Sequence, residues 1–262
     1  DRMLDIGFLP DIRRIMARLP SRRQTLLFSA TMPPEIAALA RDILRDPVTV
    51  EVGSPSTTAA DGVSHSAYPV PAPLKPALLA ELVRRGEIRT VIAFTRTKHR
   101  ANRLCDYLLR NGVAAARIHG NRSQAQRTQA LAALKAGKVP VLVATDIAAR
   151  GIDVEALSHV VNFDVPHTPE DYVHRVGRTA RAELTGDAFL FVAPEEEAQV
   201  ARIERTIGQR IRRVTVPGFD YRAPVASAAG LDVRVRPPAP GRKARPRGPR
   251  PPGRFARDRR RG

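Results

Sequence analysis

Val141-Leu142-Val143-Ala144 runs directly into Thr145-Asp146-Ile147-Ala148-Ala149-Arg150-Gly151-Ile152-Asp153, and this passage decides the fold class. An unbroken apolar run followed by polar and glycine-bearing residues reads as a strand covered on both faces, with a loop at its carboxyl end. Working outward, the same signature recurs, with strands expected at 90–94, 115–119, 159–163 and 188–192 beside 141–144. Amphipathic helices are expected between and around them at 74–84, 98–111, 123–136, 169–175 and 195–206. Buried strands alternating with helices predict a doubly wound parallel α/β sheet. Ligands of such sheets bind just beyond the carboxyl ends of the strands.

The residues before and after this core read differently. Residues 9–19 suggest a helix ended by Pro20, residues 24–28 a short buried strand, and Thr31 a cap for a helix with Pro33 and Pro34 in its first turn, running to about 44. Residues 48–52 read as another strand, and 53–66, rich in Ser, Thr, Pro and Ala, as a linker. Residues 222–262 hold eight prolines and five glycines with Phe255 as their one aromatic, a composition that predicts disorder.

Charge narrows the partners. The chain carries 44 Lys and Arg against 26 Asp and Glu, net +18, which points to a polyanion. Residues 219–262 alone hold 13 cations against 3 acids. The 262 residues contain no run of eighteen apolar residues, the length of a spanning helix, so nothing in the sequence calls for a membrane. The opening Asp1-Arg2-Met3-Leu4-Asp5 is no secretory signal and has no initiator Met, so the chain reads as a piece of a longer one. The single cysteine, Cys105, shares a helical face with Ala101, Leu104, Leu108 and Leu109 and reads as core packing. Disulfide and zinc chemistry fall together, and a reducing cytoplasm fits.

After the strand at 159–163 comes Asp164-Val165-Pro166, and then Tyr172-Val173-His174-Arg175-Val176-Gly177-Arg178-Thr179-Ala180-Arg181. Three arginines and a histidine interleaved with Gly and Thr suit a phosphate ligand, because guanidinium forks bind phosphate oxygens in pairs. A solvated basic face explains the same residues equally well. His65 and His119 read as structural or exposed.

Taken together, the motifs resemble the DEAD-box family of ATP-dependent RNA helicases over roughly residues 1–218. Ser29-Ala30-Thr31 matches the family's SAT element, and Phe94-Thr95-Arg96-Thr97-Lys98 resembles its fourth motif. His119-Gly120 with Gln124 and Arg127 resembles the element after it. Residues 145–153 look like the fifth motif and 174–181 like the sixth. The order and types look closest to bacterial members. In the family, Arg-Met-Leu-Asp-x-Gly-Phe follows Asp-Glu-Ala-Asp, so Asp1 is expected to be the last Asp of that tetrad. A search for G-x-x-x-x-G-K-[ST] finds no phosphate loop in the chain.

The resemblance implies a RecA-like architecture: 1–52 as the remnant of the first helicase domain, 53–66 as linker, 67–218 as the complete second domain, and 219–262 as a disordered basic tail. It implies ATP with Mg²⁺ as cofactor, with the main phosphate and metal ligands in a part absent from this chain. Arg178 and Arg181 are expected at the γ-phosphate, Asp153 and Gly151 at the nucleotide, and Ser29, Thr31, Asp1 and His174 in a polar network around ATP. Thr97, Gly120, Gln124, Arg127 and Thr145 are expected to grip RNA by its backbone, without sequence readout. Ala180 stands where the family usually has Gly. Protein partners, in ribosome assembly or RNA degradation, stay unassigned. The 262 residues alone are expected to be inactive as an ATPase. The rival readings are a DNA helicase of the same superfamily, which the SAT element and sixth motif disfavour, and a non-catalytic RNA-binding or annealing module.

Overall fold

Seven strands, all parallel, form one sheet in the order β3-β4-β2-β5-β6-β1-β7. They are β1 (Val63–Pro69), β2 (Val91–Phe94), β3 (Ala115–Ile118), β4 (Val141–Ala144), β5 (His159–Asn162), β6 (Gly186–Val192) and β7 (Arg212–Arg213). This is a computed structural model, and it describes residues 8–29, 32, 34–50, 62–149, 157–179 and 186–223. The chain divides into two compact units, Asp1–Ser56 and Thr57–Gly262, and the sheet belongs to the second.

Six helices accompany the strands in the described part of that unit: α3 (Lys75–Arg84), α4 (Lys98–Arg110), α5 (Gln124–Lys135), the short α6 (Asp146–Ala149), α7 (Pro169–Val176) and α8 (Glu197–Ile207). The pleat sends alternate residues to opposite faces. Val91 and Ala93 of β2 join Leu78, Leu82, Leu104 and Leu108 on the side of α3 and α4. Ile92 and Phe94 join Ile118, Ala130, Leu134 and Leu142 on the side of α5. Ala188, Leu190 and Val192 of β6 pack with Tyr172 and Val176 of α7 and Val200 and Ile203 of α8. The central strands β2, β4 and β5 are buried along their whole length, as their unbroken apolar runs require. Cys105 is core packing at 1% exposure, and burial pushes its thiol pKa up, away from the reactive thiolate.

Two strands were not legible. β1 begins at Val63, inside the stretch 53–66 read as linker, and pairs with β6 from Val63–Gly186 to Pro69–Val192. Its Val-Ser-His-Ser sequence is polar because the strand lies near the sheet margin, with only the two-residue β7 outside it. The half-buried His65 of β1 is structural: its Nδ1 lies 2.6 Å from the hydroxyl of the fully buried Tyr172.

In the first unit, α1 (Leu9–Met16) and α2 (Pro34–Ile43) are helical as expected, with α1 ending before residue 19. Arg18 and Leu19 close instead onto the carbonyls three residues back, because Pro20 disfavours a helical Leu19. The strands expected at 24–28 and 48–52 form no ladder among the described residues. Leu26, Phe28, Val48 and Val50 are 68%, 88%, 89% and 77% exposed. A strand exists only by pairing, and no neighbour is described here for these to pair with.

Candidate functional site

In-register pairing decides where the motif residues fall. Phe94 pairs with both Ala144 and Asn162, and Ala144 pairs with Ile118, so β2, β3, β4 and β5 end side by side. The next residues along each strand, Thr95, His119, Thr145 and Phe163, therefore form one carboxyl edge. The Thr145 amide closes this edge by donating to the Ile118 carbonyl at 3.2 Å.

Two helices begin at that edge. Thr97 caps α4, its exposed hydroxyl oxygen accepting the Arg100 amide at 3.2 Å. Ser123 caps α5 in a reciprocal box with Gln126. Helix N-termini present partial positive charge and free amides to an anion. Lys98 ties the two starts together by donating to Asn121 Oδ1 at 3.2 Å. Gly120, between them, is exposed, its φ is not positive, and an added Cβ there would meet nothing within 4 Å. Nothing in the described protein requires glycine at that position. Arg127 is no solvated helix residue: it donates to the Ala148 carbonyl at 3.0 Å and to Gln124 Oε1 at 3.3 Å, fastening α5 to the end of α6. Those bonds use two of its five donors. Thr97, Gly120, Gln124, Arg127 and Thr145 are thus brought to one edge. His119 beside them is 3% exposed, and its Nε2 donates to Asn102 Oδ1 at 2.9 Å. Burial and the Arg122 and Arg117 charges hold its pKa below the ordinary range.

The basic cluster after β5 divides in two. Arg175 is 3% exposed, and four of its five donors are used. It grips both carboxylate oxygens of Asp146 at 2.7 and 2.9 Å, Asn162 Oδ1 at 3.0 Å and the Asp164 carbonyl at 2.8 Å, with Phe94 stacked beneath it. The reading of Arg175 as a phosphate ligand or as part of a solvated face is therefore corrected: its side chain is buried and held by acceptors inside the fold. Beside it, Asp164 receives the Arg96 amide at 2.8 Å and a two-pronged Arg100 guanidinium at 2.6 and 2.8 Å. Lys75, 1% exposed, donates to the Phe163 carbonyl and pairs with Glu196, with burial lowering its pKa. These ties position the edge, and no local pattern announced them, because Arg100 and Asp164 are 64 residues apart.

His174 and Arg178, at the end of α7 and in the turn after it, are half-buried. Thr179, next to Arg178, is 1% exposed and donates to the Leu157 carbonyl at 2.7 Å. Ser29 is described in the first unit, while Asp1, Thr31, Gly151, Asp153, Ala180 and Arg181 lie outside the described residues, as does the tail beyond residue 223. No group of three or more His, Cys, Asp or Glu among the described residues is placed to hold a metal. Among those residues no helix is long and apolar enough to cross a membrane.

A seven-stranded parallel sheet of this order is a doubly wound α/β domain, and the family match below makes it a RecA-like helicase domain. The family model of the helicase conserved C-terminal domain matches residues 74–183, and that of the DEAD/DEAH box helicases matches residues 1–39. The chain belongs to the DEAD-box family of ATP-dependent RNA helicases. It is 42% identical over 220 residues to the RNA helicase CshA of Geobacillus kaustophilus, covering 84% of this chain and 47% of that protein. It is 40% identical to RhlB of Pseudomonas syringae, covering 86% of this chain and 57% of the relative. The chain spans about half the length of these curated relatives. Among solved structures, E. coli SrmB bound to the regulator RraA is 35% identical with a TM-score of 0.58, covering 60% of this chain and 93% of SrmB's. Yeast Dbp5 bound to RNA and ADP·BeF₃ is 29% identical with a TM-score of 0.72, covering 80% of this chain and 56% of that one.

Proposed function

We propose that this chain supplies the RNA-gripping edge and the phosphate-sensing arginines of a helicase that couples ATP hydrolysis to the remodelling of RNA duplexes. The observation that carries the reading is the carboxyl edge itself. Thr97, Gly120, Gln124, Arg127 and Thr145 line it at the starts of two helices, and α7, with His174 and Arg178, is fastened beside it through Arg175 and Asp146. Hydroxyls, an amide side chain, an open backbone and one Arg suit sugar and phosphate and carry no base code. The Dbp5 relative, bound to RNA and a nucleotide, supports the same assignment.

ATP supplies the phosphoryl group. Arg178 and Arg181 offset charge on it, an electrostatic role in a reaction governed mainly by positioning. Asp153, Gly151 and His174 are assigned to the nucleotide, and Ser29, Thr31 and Asp1 keep the polar roles that the family resemblance implies. The cationic donors fit a triphosphate. Mg²⁺ in such a site needs only one or two carboxylates beside water and the phosphates, and we assign its ligands to the domain that carries a phosphate loop. RNA bound by its backbone along the edge is bent out of duplex geometry when that domain closes.

The test is turnover. Purified 1–262, which contains no G-x-x-x-x-G-K-[ST], is expected to leave ATP at the uncatalysed background. Joined to the phosphate-loop half of the Geobacillus relative, it is expected to hydrolyse ATP with RNA stimulation. Arg178→Ala in that enzyme should lower the rate by about 10³–10⁵-fold, with the domain still folded and RNA affinity in the absence of nucleotide unchanged. Arg175→Ala should instead unfold the domain, because Asp146 loses its two-pronged partner. Wild-type turnover by Arg178→Ala would remove the phosphate assignment. RNA binding without any turnover by the joined enzyme would favour the annealing-module reading.

A further inference from the structure

β3 is the outermost strand on its side of the sheet, and its free edge opens into a cavity of about 270 Å³. Cys105 and Leu109 of α4 form one wall, and Gln126, Gln129, Ala130 and Ala133 of α5 the other. The strand itself is the floor, and Arg117 and Arg122 stand at the rim. In a parallel strand successive residues turn their amide and carbonyl to opposite sides. The Ile118 carbonyl accepts from Thr145 on the β4 side, so Ala116 also faces β4, whereas Ala115 and Arg117 turn theirs toward the cavity. The Cys105 thiol, 3.7 Å from the Ala115 carbonyl, lies on that same side. Apart from that Ala115 carbonyl, which accepts the Cys105 thiol, these edge groups have no ladder partner and are a template for another strand. Leu109, an apolar residue on the wall, is 48% exposed.

We propose that this groove binds an extended acidic segment of a partner protein, which adds to β3 as an edge strand and seats an apolar side chain against Leu109, Ala130 and Ala133. Main-chain bonds to Ala115 and Arg117 give the affinity, and the alternate side chains give the selectivity. The acidic character follows from the rim. Arg122 Nε is buried without a hydrogen-bond partner, and Arg117 already pairs with Asp106 at 2.8 Å, so the rim has an unanswered positive charge. The chain's own tail, with 13 cations against 3 acids over residues 219–262, is repelled by it. A second copy would set Arg117 and Arg122 against themselves. RNA would have to strip water from its phosphates against three apolar side chains, an unfavourable exchange.

The experiment is selection of random phage-displayed peptides on the intact 1–262 chain, followed by affinity measurement on two variants. Ala133→Gln fills the groove with a good helix former on a half-buried surface position, and Arg122→Glu reverses the rim. Selected peptides should alternate apolar residues with Asp or Glu, and should slow exchange of the Arg117 amide. Ala133→Gln should weaken them by about tenfold or more, equivalent to 1.4 kcal/mol, while Arg122→Glu should select Lys- or Arg-bearing peptides instead. The proposal is overturned if Ala133→Gln binds them as well as the wild type, or if the wild-type consensus is basic. It is likewise overturned if the Arg117 amide is unaffected, if oligoadenylate displaces the peptides, or if nothing is selected and Ala133→Gln merely abolishes self-association.

Discussion

At the scale of single residues, Gly186 shows how tightly the end of the sixth motif is seated. A Cβ at this position would lie 2.1 Å from Thr179 Oγ1 and 2.8 Å from its Cβ and Cγ2. The glycine is needed for space, since its φ is not positive. Gly186→Ala should push Thr179 off the Leu157 carbonyl and cost about 1–3 kcal/mol, the usual penalty for overpacking. Urea denaturation measures it, and a variant as stable as the wild type would show that Thr179 yields freely. Gly186 stood in the sequence only as a residue before an apolar run. Its role depends on a neighbour brought by the fold, as does that of Asp146, whose two oxygens are taken by Arg175 29 residues away.

At the scale of elements, β1 carries a half-buried histidine and β5 a buried one, and desolvation disfavours the charged form of both. Desolvation lowers the pKa of His65 and of His159 from 6.5, with Asp187 opposing it weakly at His159. A depressed histidine pKa means that the unfolded chain takes up its proton first as pH falls. Stability should therefore be insensitive to these groups above pH 6.5 and be lost below it, down through their folded pKa values. Denaturation midpoints at neutral and acid pH check this, and the double variant His65→Asn and His159→Asn should fall less steeply. An equal fall would place the acid sensitivity elsewhere. Buried central elements were the legible ones: β4 is 141–144 in both sequence and structure, and α4 and α5 end within a residue of expectation. β1 and β7 were hidden because marginal strands need no apolar run. The segments 24–28 and 48–52 misled for the opposite reason, being apolar without a described partner. The edge residues were legible as types in order, but the buried Arg100–Asp164 and Lys75–Glu196 ties behind them were not.

At the scale of the whole molecule, charge is unevenly spread, and residues 219–262 should add RNA affinity without altering chemistry. If about five of their cations engage phosphates together, deletion of residues 224–262 should lower the log–log salt slope of single-strand binding by roughly 3–4, at about 0.7 per contact. Salt titration of RNA binding with and without the segment measures it, and equal slopes would assign the tail to something other than RNA. The order of the strands has a further consequence, for time rather than affinity. β1 is made early, yet its partner β6 follows about 120 residues later in the chain. At a synthesis rate of about 5–20 residues per second, β1 waits roughly 6–24 s on the ribosome before anything can pair with it. An apolar strand left open for so long invites misassociation with its neighbours on the same message. The serines and histidine of Val-Ser-His-Ser, which hid this strand from a reading by hydrophobicity, reduce the apolar surface it offers in that interval.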